Sequence, residues 1–176
     1  FLNDAVLEPY GGAVFGMSVC ATTSLNVLIA LGFFAGLGLS GFWLIERFGN
    51  IRTARVGALL ASAALLLMLG AGAETSIPVL RAAVALFGLS LGVCMNACLS
   101  LMFSFVDPGR TGFLLGIWGA GYAYSCGLAT ISGGGLLTLF QSLNGGDLFG
   151  ACRGVFALRI CCFVGAALMT RRVGVE

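Results

Sequence analysis

The stretch Thr22-Thr-Ser-Leu-Asn26-Val-Leu-Ile-Ala-Leu-Gly32-Phe-Phe-Ala-Gly36-Leu-Gly-Leu-Ser-Gly-Phe-Trp43-Leu-Ile45 decides the fold. It holds no charge and no proline, and it stops at Glu46-Arg47. A helix rises about 1.5 Å per residue and the bilayer core is about 30 Å thick, so about 20 apolar residues in a row make a spanning helix. Four more such runs follow: Ala54–Ala73 before Glu74, Ile77–Val106 before Asp107-Pro108-Gly109-Arg110, Gly112–Phe140, and Phe149–Thr170 before Arg171-Arg172. The third is longer than a bilayer needs and is expected to tilt or to start late. The expected architecture is an all-α membrane protein. It is one transmembrane domain over residues 1–176, with five spanning helices and part of an earlier one.

Composition excludes the alternatives. Of 176 residues, 59% are hydrophobic and 9% charged, against roughly 45–50% and 25% in soluble domains. One core of this size cannot hide so much apolar surface, and disorder requires the opposite composition. The chain is therefore expected to live in a lipid bilayer. Nine basic and seven acidic residues give a net charge of +2, and no stretch is basic enough for a nucleic-acid surface.

The nine basic residues are all arginine. Short loops make consecutive helices antiparallel, which sorts Arg47, Arg52, Arg55, Arg110, Arg171 and Arg172 to one membrane face. Arg81, Arg153 and Arg159 fall toward the other. By the positive-inside rule the first group, with the C-terminus, is expected on the cytoplasmic or stromal side. Arg81 and Arg159 are charges within spans. Arg81 is expected to snorkel toward the surface. Arg159 is expected to do the same from roughly 6 Å deep if its apolar run starts at Val155; if the span starts at Phe149, it sits near mid-membrane and needs a partner.

No histidine is present, which removes the commonest general base and metal ligand. No nucleophile–base pair is visible, and Ser132 with Gly133–Gly135 lacks the lysine of a phosphate loop. An enzyme is not expected. The seven cysteines have no CxxC spacing. Cys94 and Cys98 share a helix face but make a poor metal site alone, so all seven are expected as buried structural thiols.

Polar groups at membrane depth are few: Asn26, Asn96, Tyr122, Tyr124 and Ser125, with Gln141 and Asn144 just past the fourth span. Each either glues two helices or meets a ligand. GxxxG spacings occur at Gly32/Gly36, Gly88/Gly92 and Gly112/Gly116. They serve close helix packing, or faces that slide during a conformational cycle.

Residues 1–20 differ. Asp4, Glu8, Pro9 and the Gly11-Gly12 pair make them too polar to span alone. Pro9 disfavours a helical Glu8 and Gly11-Gly12 permit a turn, so this segment is expected to be the tail of an earlier span followed by a turn. Starting at Phe1 and not Met, the sequence is expected to be a piece or a processed form of something longer.

The run Asp4-Ala-Val-Leu-Glu8-Pro9-Tyr10-Gly11-Gly12-Ala-Val-Phe-Gly16-Met17-Ser18-Val-Cys-Ala21-Thr22-Thr23 resembles the second half of the PucC-like bacteriochlorophyll delivery family of the major facilitator superfamily. Gly116-Ile-Trp118-Gly119-Ala120 resembles that family's G-x-W-G-A motif. Members look like twelve-helix transporters, and the resemblance places the five spans as helices eight to twelve.

It implies a chlorophyll-handling protein that assembles light-harvesting complexes or photosystems in a thylakoid or other photosynthetic membrane. Chlorophyll, with carotenoid, is the implied cofactor, and antenna or photosystem subunits are the implied partners. Asn26, Asn96, Tyr122, Tyr124 and Gln141 become candidate pigment contacts, because Mg²⁺ prefers oxygen ligands. Two other readings are a structural accessory subunit fixed to a photosystem or antenna supercomplex, and half of a small-solute secondary transporter.

Overall fold

The computed structural model describes residues 4–104, 109, 111–143 and 148–170. Among them are six helices. α1 is Asp4–Phe15; α2 is Val19–Phe48 and α3 is Asn50–Glu74. α4 is Ile77–Ser104, α5 is Thr111–Leu143 and α6 is Leu148–Met169. Helices α2 to α6 are long and apolar enough to cross a membrane, so the five expected spans are found. In hydrocarbon every backbone polar group must be satisfied within its own segment, which these runs achieve as helices.

The ends follow from local chemistry. Ser18 caps α2, its side chain accepting from the Ala21 N–H at 3.4 Å, so the first span opens earlier than Thr22. Gly49, at φ 77°, stops α2 and lets α3 begin at once. Thr75 is left-handed at φ 51°, and the Ser76 N–H bonds back to the Ala71 carbonyl at 3.1 Å to close α3. Pro78 stands in the first turn of α4, where its missing N–H costs nothing. Gln141, expected past the fourth span, lies within α5. Val106, Asp107, Arg110, Asn144, Arg171 and Arg172 lie outside the described residues.

One expectation for the N-terminal segment is overturned. Gly11 and Gly12 do not turn, and Glu8 is helical: α1 runs unbroken through Pro9 to Phe15. The turn falls instead at Gly16, the residue with φ 60°. Packing overrides local preference here. Leu7, Tyr10 and Leu25 are fully buried together. A Cβ on Gly11 would lie 2.9 Å from Thr22 Cγ2, so Gly11 serves the close approach of α1 to α2.

Helix α4 is the hub, with α2 on one side and α3 on the other; α6 packs on α3, and α5 packs on α6. α1 touches α2, α5 and α6. Two kinds of packing divide the bundle along its axis. Near α1 the core is large side chains, among them Tyr10, Leu65, Met68, Phe87 and Phe156. Toward the other end α2 and α4 meet through glycine. A Cβ on Gly32 or Gly36 would strike the Ala85 or Leu89 carbonyl, and one on Gly88 or Gly92 would strike that of Ile29 or Phe33. Two of the three GxxxG spacings thus pair with each other, backbone to backbone. The third, Gly112/Gly116, has no atom of another element within 4 Å among the described residues.

The cysteines differ from expectation. All are free thiols, but only Cys152 is buried, while Cys20, Cys98, Cys161 and Cys162 lie on the outside of the helices. In a membrane protein an apolar outer face is the ordinary state, so a hydrophobic thiol need not point inward.

Candidate functional site

The segment at residues 4–23 is a structural junction. Tyr10 is fully buried. Its hydroxyl donates to the Met68 carbonyl on α3 at 2.9 Å. Its ring lies edge-on to Phe156 of α6 at 5.2 Å and to Phe15 at 5.7 Å. Gly11 seats α1 on α2, Gly12 faces open space and Gly16 makes the turn. Thr22 and Thr23 both donate back to the Val19 carbonyl, at 2.8 and 2.9 Å. Asp4 and Glu8 stand on α1, and their side chains lie outside those described.

Asn96 and Asn26 sit on different helices. The Asn96 amide donates to the Leu37 carbonyl and to Ser40 Oγ, both at 3.3 Å. Ser40 opens a π turn, Ser40–Leu44, in the middle of α2. Such a turn shifts the helical ladder by one residue and strands a carbonyl. Asn96 satisfies backbone where α2 is irregular, which is the helix-gluing alternative for this residue. Nothing in the sequence signals the π turn itself.

Arg81 is exposed in the first turn of α4. Arg159 stands in the middle of α6 and is half-buried. Its guanidinium lies 5.2 Å from the centroid of the Phe87 ring, and Phe87 is fully buried. α6 begins at Leu148, so Arg159 sits about 16 Å along it at 1.5 Å per residue, close to mid-span. An aromatic face is a favourable partner for a cation removed from water. The edge-on Phe87–Phe163 pair, 6.4 Å apart, holds that ring in place.

The remaining sequence-derived residues gather on α5. Only 6% of its most apolar window is buried, against 50% for α3. Trp118 and Tyr122, one turn apart, stack face to face at 5.5 Å with 8° between their planes. Tyr122 and Tyr124 are 40% and 71% exposed. Gly112, Gly116, Gly119 and Gly121 have open space where a Cβ would stand. Beside small residues, the pair forms a two-ring aromatic stack on an open helix. The five candidate pigment contacts do not converge. Tyr122, Tyr124 and Gln141 share α5, Asn26 is on α2, and Asn96 is engaged on α4.

Four of the five spans meet at one arginine-rich end. The Arg55 Nη2 donates to the Thr170 carbonyl at 2.9 Å, joining the start of α3 to the end of α6. Arg47 lies over the Trp43 ring at 5.6 Å. Two clefts open beside these residues. Arg52 lines both, and sequence reading had assigned it no role beyond its charge.

Protein PucC of Cereibacter sphaeroides is 32% identical over 81% of this chain and 31% of its own length. The bacteriochlorophyll synthase 44.5 kDa chain of Rhodobacter capsulatus is 32% identical over 98% of this chain and 41% of its own length. Protein PucC of Rhodobacter capsulatus is 31% identical over 89% of this chain and 35% of its own length. The chain thus spans less than half the length of these curated relatives. No solved structure matches it. The PUCC protein family matches residues 1–176, end to end. A helical membrane bundle pinned at its N-terminal motif by Tyr10, this chain belongs to the PUCC protein family.

Proposed function

We propose that this chain handles chlorophyll-type pigment in a photosynthetic membrane and serves the assembly of light-harvesting complexes or photosystems. The observation that carries the reading is family membership over the whole of residues 1–176. It is supported by the names of the relatives, one of which is a bacteriochlorophyll synthase chain. We take the bundle to be one half of a major-facilitator-type architecture, with its arginine-rich end and C-terminus on the cytoplasmic or stromal side.

The pigment is cargo in this reading, and the chain is not an enzyme. The α5 stack suits such a cargo. A flat macrocycle stacks on an aromatic plane, each such contact adding roughly 0.5–1.5 kcal/mol beyond burial, and the glycines leave room for close approach. An outer face of the Trp118–Tyr122 stack would hold the ring by stacking. The hydroxyl of Tyr122 or Tyr124, or the Gln141 carbonyl, would offer an oxygen to its Mg²⁺. A carotenoid would lie along the same open helix. Antenna or photosystem subunits are the partners that receive the pigment.

The test is pigment extraction and an absorption spectrum on the full-length protein isolated from its native membrane. Chlorophyll is expected with it. Replacing both Trp118 and Tyr122 by alanine is expected to lower the pigment retained roughly tenfold while leaving protein yield unchanged. A colourless preparation from a membrane rich in pigment would overturn the reading.

A further inference from the structure

The clefts at the arginine-rich end are used by nothing described so far. The first has a volume of about 340 Å³ and is lined by Phe48, Gly49, Asn50, Arg52, Leu101 and Ser104, among others. The second, about 290 Å³, is lined by Leu44, Phe48, Thr53, Arg55 and Val56, again with Arg52. Arg52 and Phe48 form the partition between them. The two differ in character. The first carries a polar rim of Asn50 and Ser104, whereas the second is walled by Leu44, Phe48 and Val56.

Three observations bear on an occupant. First, Arg52 donates to no acceptor among the described residues, while its neighbours are engaged: Arg55 with Thr170 and Arg47 over Trp43. Its charge is available to both clefts. Second, the Asn50 side-chain oxygen is buried and receives no hydrogen bond. A buried acceptor without a donor is costly and rare in native structures, and it is relieved by a ligand that brings an O–H or N–H. Third, the clefts lie where α2 ends and α3 begins, at the end of two spans, where a helix long enough to cross the bilayer reaches the headgroups. Exposed Trp43 stands five residues before Phe48 on the same helix, and tryptophan gathers at the membrane–water interface.

We propose that this is a binding site for an anionic phospholipid whose headgroup carries hydroxyls, phosphatidylglycerol being the type. The phosphate sits at Arg52, a glycerol hydroxyl donates to Asn50 Oδ1 in the first cleft, and an acyl chain follows Leu44 and Val56 in the second. Basic pockets between spanning helices recognise anionic headgroups by this same electrostatics. A phosphatidylcholine headgroup has no hydroxyl donor and brings a cation toward Arg52, so it fits poorly. This inference does not rest on the pigment reading, and either can fail alone.

Native mass spectrometry of the full-length protein in detergent tests it, titrating phosphatidylglycerol, phosphatidylcholine or inorganic phosphate. Retention of phosphatidylglycerol over phosphatidylcholine is expected. Arg52→Ala is expected to weaken it about fivefold, since one arginine near the surface contributes about 1 kcal/mol toward an anionic lipid. Asn50→Ala should reduce the preference for phosphatidylglycerol over phosphatidic acid, which lacks the glycerol headgroup. Arg81→Ala, at the opposite end, should change nothing. Equal retention of phosphatidylcholine would overturn the proposal. So would an Arg52→Ala protein with undiminished binding, or displacement of the lipid by millimolar inorganic phosphate, which would make this a plain anion site. Correct folding of each variant is read from its melting curve in the same detergent.

Discussion

Tyr10 shows how a motif residue can be structural. Its ring fills the junction of α1, α3 and α6, and its hydroxyl reaches a carbonyl far away in sequence. The Met68 carbonyl lies inside α3, where the helical ladder already serves it, so losing the hydroxyl does not strand that carbonyl. Tyr10→Phe is therefore expected to cost only the net bond, about 1 kcal/mol. Tyr10→Ala leaves a cavity at the junction and should cost about 3–5 kcal/mol, as large-to-small core changes do. Denaturation in mixed micelles would measure both, and equal losses would show that the hydroxyl, and not the ring, anchors α1. Little of this was legible in the sequence, because the tyrosine's partners come from α3 and α6, more than fifty residues away. Arg159 is a second case. An arginine in an apolar run offers two readings, snorkelling or a partner within the span, and the Phe87 ring beside Arg159 is set by the register of α4 against α6.

Helices were readable where length and charge alone decide them. The five spans follow from uninterrupted apolar runs, and their ends moved by only a few residues. Segments where local preference competes with packing were not readable. Pro9 and Gly11-Gly12 carry the signature of a turn, yet α1 passes straight through because Leu7 and Tyr10 are buried and Gly11 must lie against α2.

The GxxxG spacings fall between these cases. All three look alike in sequence, but two face each other and one faces no other element among the described residues, so equal motifs predict unequal costs. In the 176-residue chain, Gly92→Ala drives a methyl into the Phe33 carbonyl and should destabilise by about 1–3 kcal/mol, the usual range for overpacking. Gly116→Ala adds a methyl in open space and should cost nothing measurable, since alanine favours helix by up to about 1 kcal/mol. The comparison is made on two melting curves. Equal effects would mean that the α2–α4 contact is not as close as the structure has it.

For the whole molecule the informative asymmetry is lateral. α3 and α4 are enclosed by other helices, while α5 offers its aromatic stack and a row of glycines to the outside. Lipid does not require small residues on a helix face, whereas another helix or a flat ligand does, because close approach is how contacts gain energy in a membrane. The curated relatives are more than twice as long as this chain. If the face serves transfer of pigment to an antenna complex, its loss should be felt in the product and not in the protein. Cells carrying Trp118→Ala with Tyr122→Ala in the full-length protein are expected to lose most of their antenna absorbance while the variant accumulates normally. Mature complexes should hold far less than one copy of the wild-type chain each. Both are read from membrane spectra and native gels of the same cells. Unchanged antenna absorbance would remove α5 from the transfer step. A fixed one-to-one ratio in the mature complex would make the chain an accessory subunit, one that keeps its aromatic stack permanently covered.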